Sequence, residues 1–154
     1  MLEGQSVFFV ISSKINILLE LVKFRITVLV SFTTALGYFL ATDKLGFGFL
    51  YPVAGIFLLA CSSAALNQYQ EVKTDMMMER TRNRPIPSGK ISGKSVLLIS
   101  VLFLFAGSSV LFFKTNIGTL FTGLLTFYWY NAVYTPLKKK TALAIIPGSL
   151  VGAL

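Results

Sequence analysis

Four blocks of almost uninterrupted apolar residues set the pattern of this chain, each long enough to cross a hydrocarbon core of about 30 Å as a helix. They run from Ile26 to Thr42, Phe47 to Leu66, Ser95 to Phe113 and Ile117 to Tyr134. A fifth block runs from Thr141 to Leu154, about 14 residues, short of the roughly 17 to 25 that a crossing takes. Polar residues gather between the blocks. Asp43-Lys44-Leu45-Gly46 and Lys114-Thr115-Asn116 are so short that the helices they join must be antiparallel neighbours. Residues 67–94 form the one long polar segment. The pattern predicts an all-α, polytopic transmembrane helical bundle with four full helices and part of a fifth.

Residues 1–22 are expected to form a separate N-terminal interfacial segment ahead of a transmembrane domain over 23–154. Residues 7–11 are apolar, but Lys14, Glu20, Lys23 and Arg25 follow with no small-residue cleavage site. Composition supports the membrane reading. At 55% hydrophobic and 13% charged over 154 residues, with a mean hydropathy of +0.74, the chain is too apolar for a soluble domain of this size.

The cations give an orientation. With the N-terminus cytoplasmic, that side holds Lys14, Lys23, Arg25, Lys73, Arg80, Arg82, Arg84, Lys90, Lys94, Lys138, Lys139 and Lys140, and the other side only Lys44 and Lys114. That asymmetry follows the positive-inside rule and predicts a multi-pass membrane protein with its N-terminus on the cytoplasmic side. The formal net charge of +8 is then explained by topology and anionic lipid, with no nucleic acid as partner. Aromatic residues do not alternate with bases as a stacking platform would need.

The absence of histidine removes an imidazole base, a histidine-ligated haem and a histidine-containing zinc site from this chain's repertoire. Cys61, the single cysteine, lies inside the second block and reads as a packing residue rather than a nucleophile.

Segment 67–94 holds three of the six acidic residues and six of the fourteen basic ones, so chemistry is expected there. Asn67, Glu71 and Asp75 recur every fourth residue where the second block ends. On a helix, Glu71 lies about 40° round from Asn67 and Asp75 about 80°, on a stripe about 12 Å long. Oxygen ligands at this spacing suit Mg2+, which often binds through one or two carboxylates plus the phosphates of a substrate. The helix is expected to continue through Met76 to Arg80 and to stop before Pro85, with a turn over Pro85 to Gly89 and Ser92 or Ser95 capping the next helix. Met76 to Met78 read as apolar filler facing lipid or substrate. Arg80, Arg82 and Arg84 follow the acids, and guanidinium groups bind phosphate oxygens in bidentate fashion. A metal-held diphosphate is one reading of this spacing; a solvated charged loop is the other.

The residues Asn67 to Asp75, followed by Met78-Glu79-Arg80-Thr81-Arg82-Asn83-Arg84-Pro85 and Ser88-Gly89, resemble the first signature of the UbiA-type intramembrane prenyltransferases. Arg25-Ile26-Thr27 leading into Thr33-Thr34-Ala35-Leu36-Gly37-Tyr38 is similar to that family's first helix. Tyr134-Thr135-Pro136-Leu137-Lys138-Lys139-Lys140-Thr141 is similar to its basic turn after the fourth helix. This last stretch and the run Arg80 to Pro85 resemble the haem-modifying branch more than the quinone branches. The resemblance extends over about residues 20–154, nearly the whole chain.

It implies transfer of a farnesyl group from farnesyl diphosphate to a vinyl group of haem B, with Mg2+ as cofactor. The lipid bilayer and terminal oxidase assembly proteins are the implied partners. Asn67, Glu71 and Asp75 would be the catalytic metal and diphosphate ligands, and Arg80, Arg84 and Lys138 diphosphate contacts, although Lys138 to Lys140 also read as a plain topology signal. Glu71 stands where the wider family often has aspartate, a longer carboxylate that still ligates magnesium. The family's fold has nine helices, about twice this length, and a second aspartate-rich motif that would fall beyond Leu154. The expectation is therefore a partial domain, inactive by itself. Two other readings stand beside it: a quinone-pathway aromatic prenyltransferase, and a non-catalytic helical membrane subunit or assembly factor whose charged loop docks partners. Close helix contacts are expected at Gly37, Gly55 and Gly107, and Asn131 is expected to make an interhelical hydrogen bond or a substrate contact.

Overall fold

The computed structural model describes residues 2–42 and 46–153, and these are helical and connecting segments with no strand among them. Helix α1 spans Leu2–Leu21, α2 Phe24–Ala41, α3 Leu50–Met77, α4 Gly93–Lys114 and α5 Ile117–Tyr128. One π turn, Trp129–Tyr134, carries α5 into the short α6, Thr135–Leu137, and after a basic turn α7 covers Ile145–Ala153. Three helices, Phe24–Ala41, Phe47–Met77 and Gly93–Lys114, are long and apolar enough to cross a membrane. The fourth expected span, 117–134, is an unbroken helical path whose register shifts at the π turn.

Helix α3 is the centre of the bundle, packing chiefly against α4 and then against α2 and α5. Its 28 residues make about 42 Å at 1.5 Å each, longer than a hydrocarbon core. The last turns, which carry the acidic stripe, therefore reach the membrane rim. The ends alternate as antiparallel neighbours must. Lys114, at the end of α4, sits 5.8 Å from the ring of Tyr51 at the start of α3. Asn116 caps α5, its side-chain oxygen accepting from Thr119 N at 2.8 Å. Of the other expected outer turn, Asp43 to Leu45 lie outside the described residues.

Small residues let α3 and α4 approach. A Cβ on Gly107 would stand 2.9 Å from the Gly55 carbonyl oxygen, and one on Gly55 would run into the Leu111 side chain. In lipid, where apolar burial gives helices no reason to associate, such backbone contact carries the packing. Two turns deeper, Ser62 Oγ donates to Ser100 O at 2.7 Å and Ser100 Oγ to Ser62 O at 3.0 Å, a reciprocal pair that joins the same helices. The contact expected at Gly37 is not made: a Cβ there meets nothing within 4 Å, because that side of α2 is exposed. Gly123 of α5 takes the role instead, seating Leu59, Ile56 and Leu111. Cys61 is buried on α3, as a packing residue should be.

At the other end, Leu21, Ala65 and Val96 form a buried apolar cluster against which Ile86 and Ile91 of the long connection pack. The cluster fastens the α1–α2 elbow, α3, α4 and the connection together just beneath the acidic stripe. Helix α3 ends at Met77, three residues before the expected end at Arg80. Met78 turns to an extended backbone, its N–H bonds to Asp75 O at 3.3 Å, and the Thr81 hydroxyl donates to that same carbonyl at 3.2 Å. Local turn bonds here satisfy a helix-end carbonyl that further helix would otherwise have taken. Met76 to Met78 are exposed. Ser92 is the cap of α4, accepting from Ser95 N at 3.1 Å.

Candidate active site

The stripe predicted from spacing forms as one buried face. Asn67, Glu71 and Asp75 on α3 are 0%, 9% and 4% exposed, although all three are polar and two are charged. Buried charges require partners, and each partner comes from a different part of the chain. Lys138, in the basic turn after α6, puts Nζ 2.9 Å from a Glu71 carboxylate oxygen. Arg84, in the connection after α3, donates from Nη1 to both oxygens of Asp75 at 2.8 and 2.7 Å. Lys23, at the α1–α2 elbow, donates from Nζ to Asn67 Oδ1 at 3.1 Å. Three basic side chains therefore face two carboxylates and an amide, one more base than acids in the cluster.

Lys23 occupies the left-handed region, φ 51°, which ends α1 and aims the side chain back toward α3. Gln68, the neighbour of Asn67, secures the elbow by donating to Glu20 O and Leu21 O, both at 3.0 Å. Burial lowers the Lys23 pKa below the ordinary lysine value. Arg84 and Lys138 push the same way, and Glu71 and Asp75 oppose them. Sequence reading took Lys23 only as a topology signal. No local signal marks it out: Glu20 and Arg25 stand within three residues of it, and its partner Asn67 is 44 positions away.

The π turn shapes the far wall. Pro136 has no N–H to donate, and in an i→i−5 register the carbonyl it leaves unbonded is that of Asn131. Gln70 Nε2 reaches across from α3 to that carbonyl at 3.3 Å, and Lys139 Nζ bonds to Gln70 O at 3.0 Å. Asn131 itself makes the interhelical hydrogen bond, Nδ2 donating to Ser63 Oγ at 2.7 Å. An open cleft of about 430 Å3 lies next to this wall, lined by Tyr130, Tyr134, Ile145, Gly148 and Ser149.

Of the six residues singled out in sequence, Asn67, Glu71, Asp75, Arg84 and Lys138 come together. Arg80 does not. It is exposed in the turn after α3 and makes no hydrogen bond among the described residues, because the early helix end points Thr81 inward and its neighbours outward. Arg82 likewise faces solvent, 4.0 Å from Glu79. Among the described residues no group of three or more acidic, cysteine or histidine side chains is gathered as a metal cage. Two carboxylates and an amide oxygen on successive turns are nonetheless a donor set of hard oxygens, suited to a cation completed by phosphate oxygens.

The family model described as "UbiA prenyltransferase family" matches residues 30–154. The chain belongs to the UbiA prenyltransferase family. Protoheme IX farnesyltransferase of Christiangramia forsetii is 36% identical over 136 residues, which are 88% of this chain and 45% of that protein. The protein of the same name from Oleidesulfovibrio alaskensis is 34% identical over 135 residues, 88% of this chain and 48% of the relative. A third, from Geobacter sulfurreducens, is 35% identical over 130 residues, 84% and 48% respectively. The chain thus spans about half the length of the curated relatives it matches. No solved structure matches it. Membership and the three membrane-length helices make this a membrane protein.

Proposed function

We propose that this chain forms the diphosphate-binding half of a protoheme IX farnesyltransferase, which joins the farnesyl group of farnesyl diphosphate to a vinyl group of haem B, releases diphosphate, and adds water to the cation left on the haem side to give the hydroxyl of haem O. The observation that carries the reading is the convergence of Lys23, Arg84 and Lys138 on the buried Asn67–Glu71–Asp75 face at the rim of an apolar bundle. The names of the relatives supply the substrates. Residues 67–94 and the N-terminus would lie on the cytoplasmic side of a cell membrane, where the cations concentrate.

The chemistry follows from charge. Departure of diphosphate from an allylic carbon leaves negative charge on the leaving group and positive charge on the prenyl chain. Lys23, Arg84 and Lys138 would stabilise the first, in a site that solvent reaches poorly. Apolar helix walls hold the prenyl chain and keep water from the second. Asn67, Glu71 and Asp75 would hold Mg2+, which when bound supplies further positive charge to the departing diphosphate.

The test is the haem content of membranes expressing the protein at its full natural length. Haem O is the expected product, and its loss on magnesium removal is expected too. Abundant haem B without haem O, alongside prenylated aromatic product, would identify a quinone-pathway enzyme instead. Membranes with neither product would favour the non-catalytic subunit.

A further inference from the structure

We infer that Thr135 is a positioning residue, fixing the Asn67 side-chain amide so that its oxygen faces the cations of the site and its NH2 group faces away. Thr135 is 1% exposed and Asn67 0%, so water cannot serve as a stand-in partner for either. The Thr135 hydroxyl has a single hydrogen, and it goes to Tyr130 O at 2.8 Å. That carbonyl is five residues back, brought within reach by the π turn. With its hydrogen committed, Thr135 Oγ1 can only accept toward Asn67, and Asn67 Nδ2 stands 3.0 Å from it. A donor is required at that position, and only the NH2 end of the amide is one.

The other end of the amide gives the same answer independently. Asn67 Oδ1 accepts from the Lys23 ammonium at 3.1 Å, a group that can only donate. Turning the amide over would set oxygen against oxygen at Thr135 and NH2 against ammonium at Lys23. Both costs fall in a buried site, where unmatched polar groups are expensive. The orientation therefore does not wait for a ligand: Oδ1 already points where a cation stands. On the reading proposed above, on which its functional meaning rests, this presets the first oxygen of the ligand stripe. The π turn thereby acquires a purpose, since it brings the Tyr130 carbonyl under the Thr135 hydroxyl.

The test uses the full-length protein in lipid nanodiscs, labelled with 15N-asparagine, the Asn67 NH2 signal being assigned by its loss in Asn67→Asp. Hydrogen exchange of that NH2 is expected to be slow in the parent, about five- to tenfold faster in Thr135→Val, and within about twofold of the parent in Thr135→Ser. Backbone exchange in the neighbouring turns reports whether Thr135→Val has simply loosened the helix, a change that Ser rescue with an intact backbone pattern would separate. Equal NH2 exchange in the parent and Thr135→Val, or failure of Thr135→Ser to restore it, overturns the inference. A second arm titrates inorganic pyrophosphate with and without Mg2+. Magnesium-dependent affinity is expected to fall about tenfold in Thr135→Val and to return in Thr135→Ser; unchanged affinity beside faster exchange would overturn the functional meaning. A parent that binds no pyrophosphate sinks the proposed function, while NH2 exchange still decides whether Thr135 orients Asn67.

Discussion

Arg84 and Asp75 lie nine residues apart and share one hydrogen-bonding nitrogen: Nη1 of the arginine is 2.8 and 2.7 Å from the two oxygens of the aspartate. The aspartate is buried and the arginine side chain 24% exposed, so the pair lies between a surface and an interior ion pair in its energetics. Each member has a second use in the proposed reaction, the carboxylate toward a metal ion and the guanidinium toward phosphate. Binding would then exchange one set of charge partners for another, with no bare charge left behind.

The first prediction concerns that exchange. Asp75→Asn keeps the shape of the side chain and removes its charge, and is expected to lower magnesium-dependent affinity for farnesyl diphosphate by tenfold or more, measured by calorimetry. Arg84→Ala is expected to reduce affinity as well and to cost stability, about 1–3 kcal/mol, because it strands a buried carboxylate. In the double variant part of that stability loss should return, since no carboxylate remains to be stranded. Binding in Asp75→Asn equal to the parent would remove this residue from the site.

Arg80 supplies the contrast. It belongs to the same charged run and the same resemblance, yet it is exposed and outside the cluster. Arg80→Ala is expected to leave farnesyl diphosphate affinity within about twofold, against the loss in Arg84→Ala. Equal losses in the two variants would show that the connection rearranges on binding to bring Arg80 inward.

The periodicity that made Asn67, Glu71 and Asp75 legible also shows where reading the sequence stops. Apolar blocks gave the helices, and an interval of four gave a shared face, because both are local consequences of helical repeat. Which cation answers which acid is a tertiary fact. Lys138 stands 67 positions from Glu71 and Lys23 44 from Asn67, and nothing in their neighbours distinguishes them from cations that only set topology. Arg80 and Arg84 looked equivalent until the helix end at Met77 turned one outward and the other inward. Gly55 and Gly107 could be proposed as contacts from residue size alone, but Gly37 looked the same in sequence and faces open space.

Lys138 can be separated from its basic neighbours. Its Nζ is bound to Glu71, whereas Lys140 is exposed. Lys138→Met is expected to weaken pyrophosphate binding several-fold, with Lys140→Met close to the parent. If topology were the only role, the two would behave alike, and cysteine accessibility mapping would show the same orientation with unchanged binding in both.

The last prediction tests the bundle that holds the stripe in place. Gly107 lies where α4 crosses α3, and its backbone approaches so closely that an added Cβ would come within 2.9 Å of Gly55 O and 3.1 Å of the Leu59 nitrogen. Neither obstacle is the mobile end of a side chain, so relief requires the helices to separate. Overpacking of this kind typically costs about 1–3 kcal/mol, and separation would also strain the Ser62–Ser100 bonds, which side-chain pairs in membranes suggest are worth about 0.6 kcal/mol each. Gly107→Ala is thus expected to lower the midpoint of thermal unfolding in detergent measurably, while Gly37→Ala, with nothing within 4 Å of its new Cβ, should match the parent or exceed it slightly through better helix propensity. A Gly107→Ala protein as stable as Gly37→Ala would mean that α3 and α4 do not meet at this crossing, and the placement of the acidic stripe against Arg84 would lose its support.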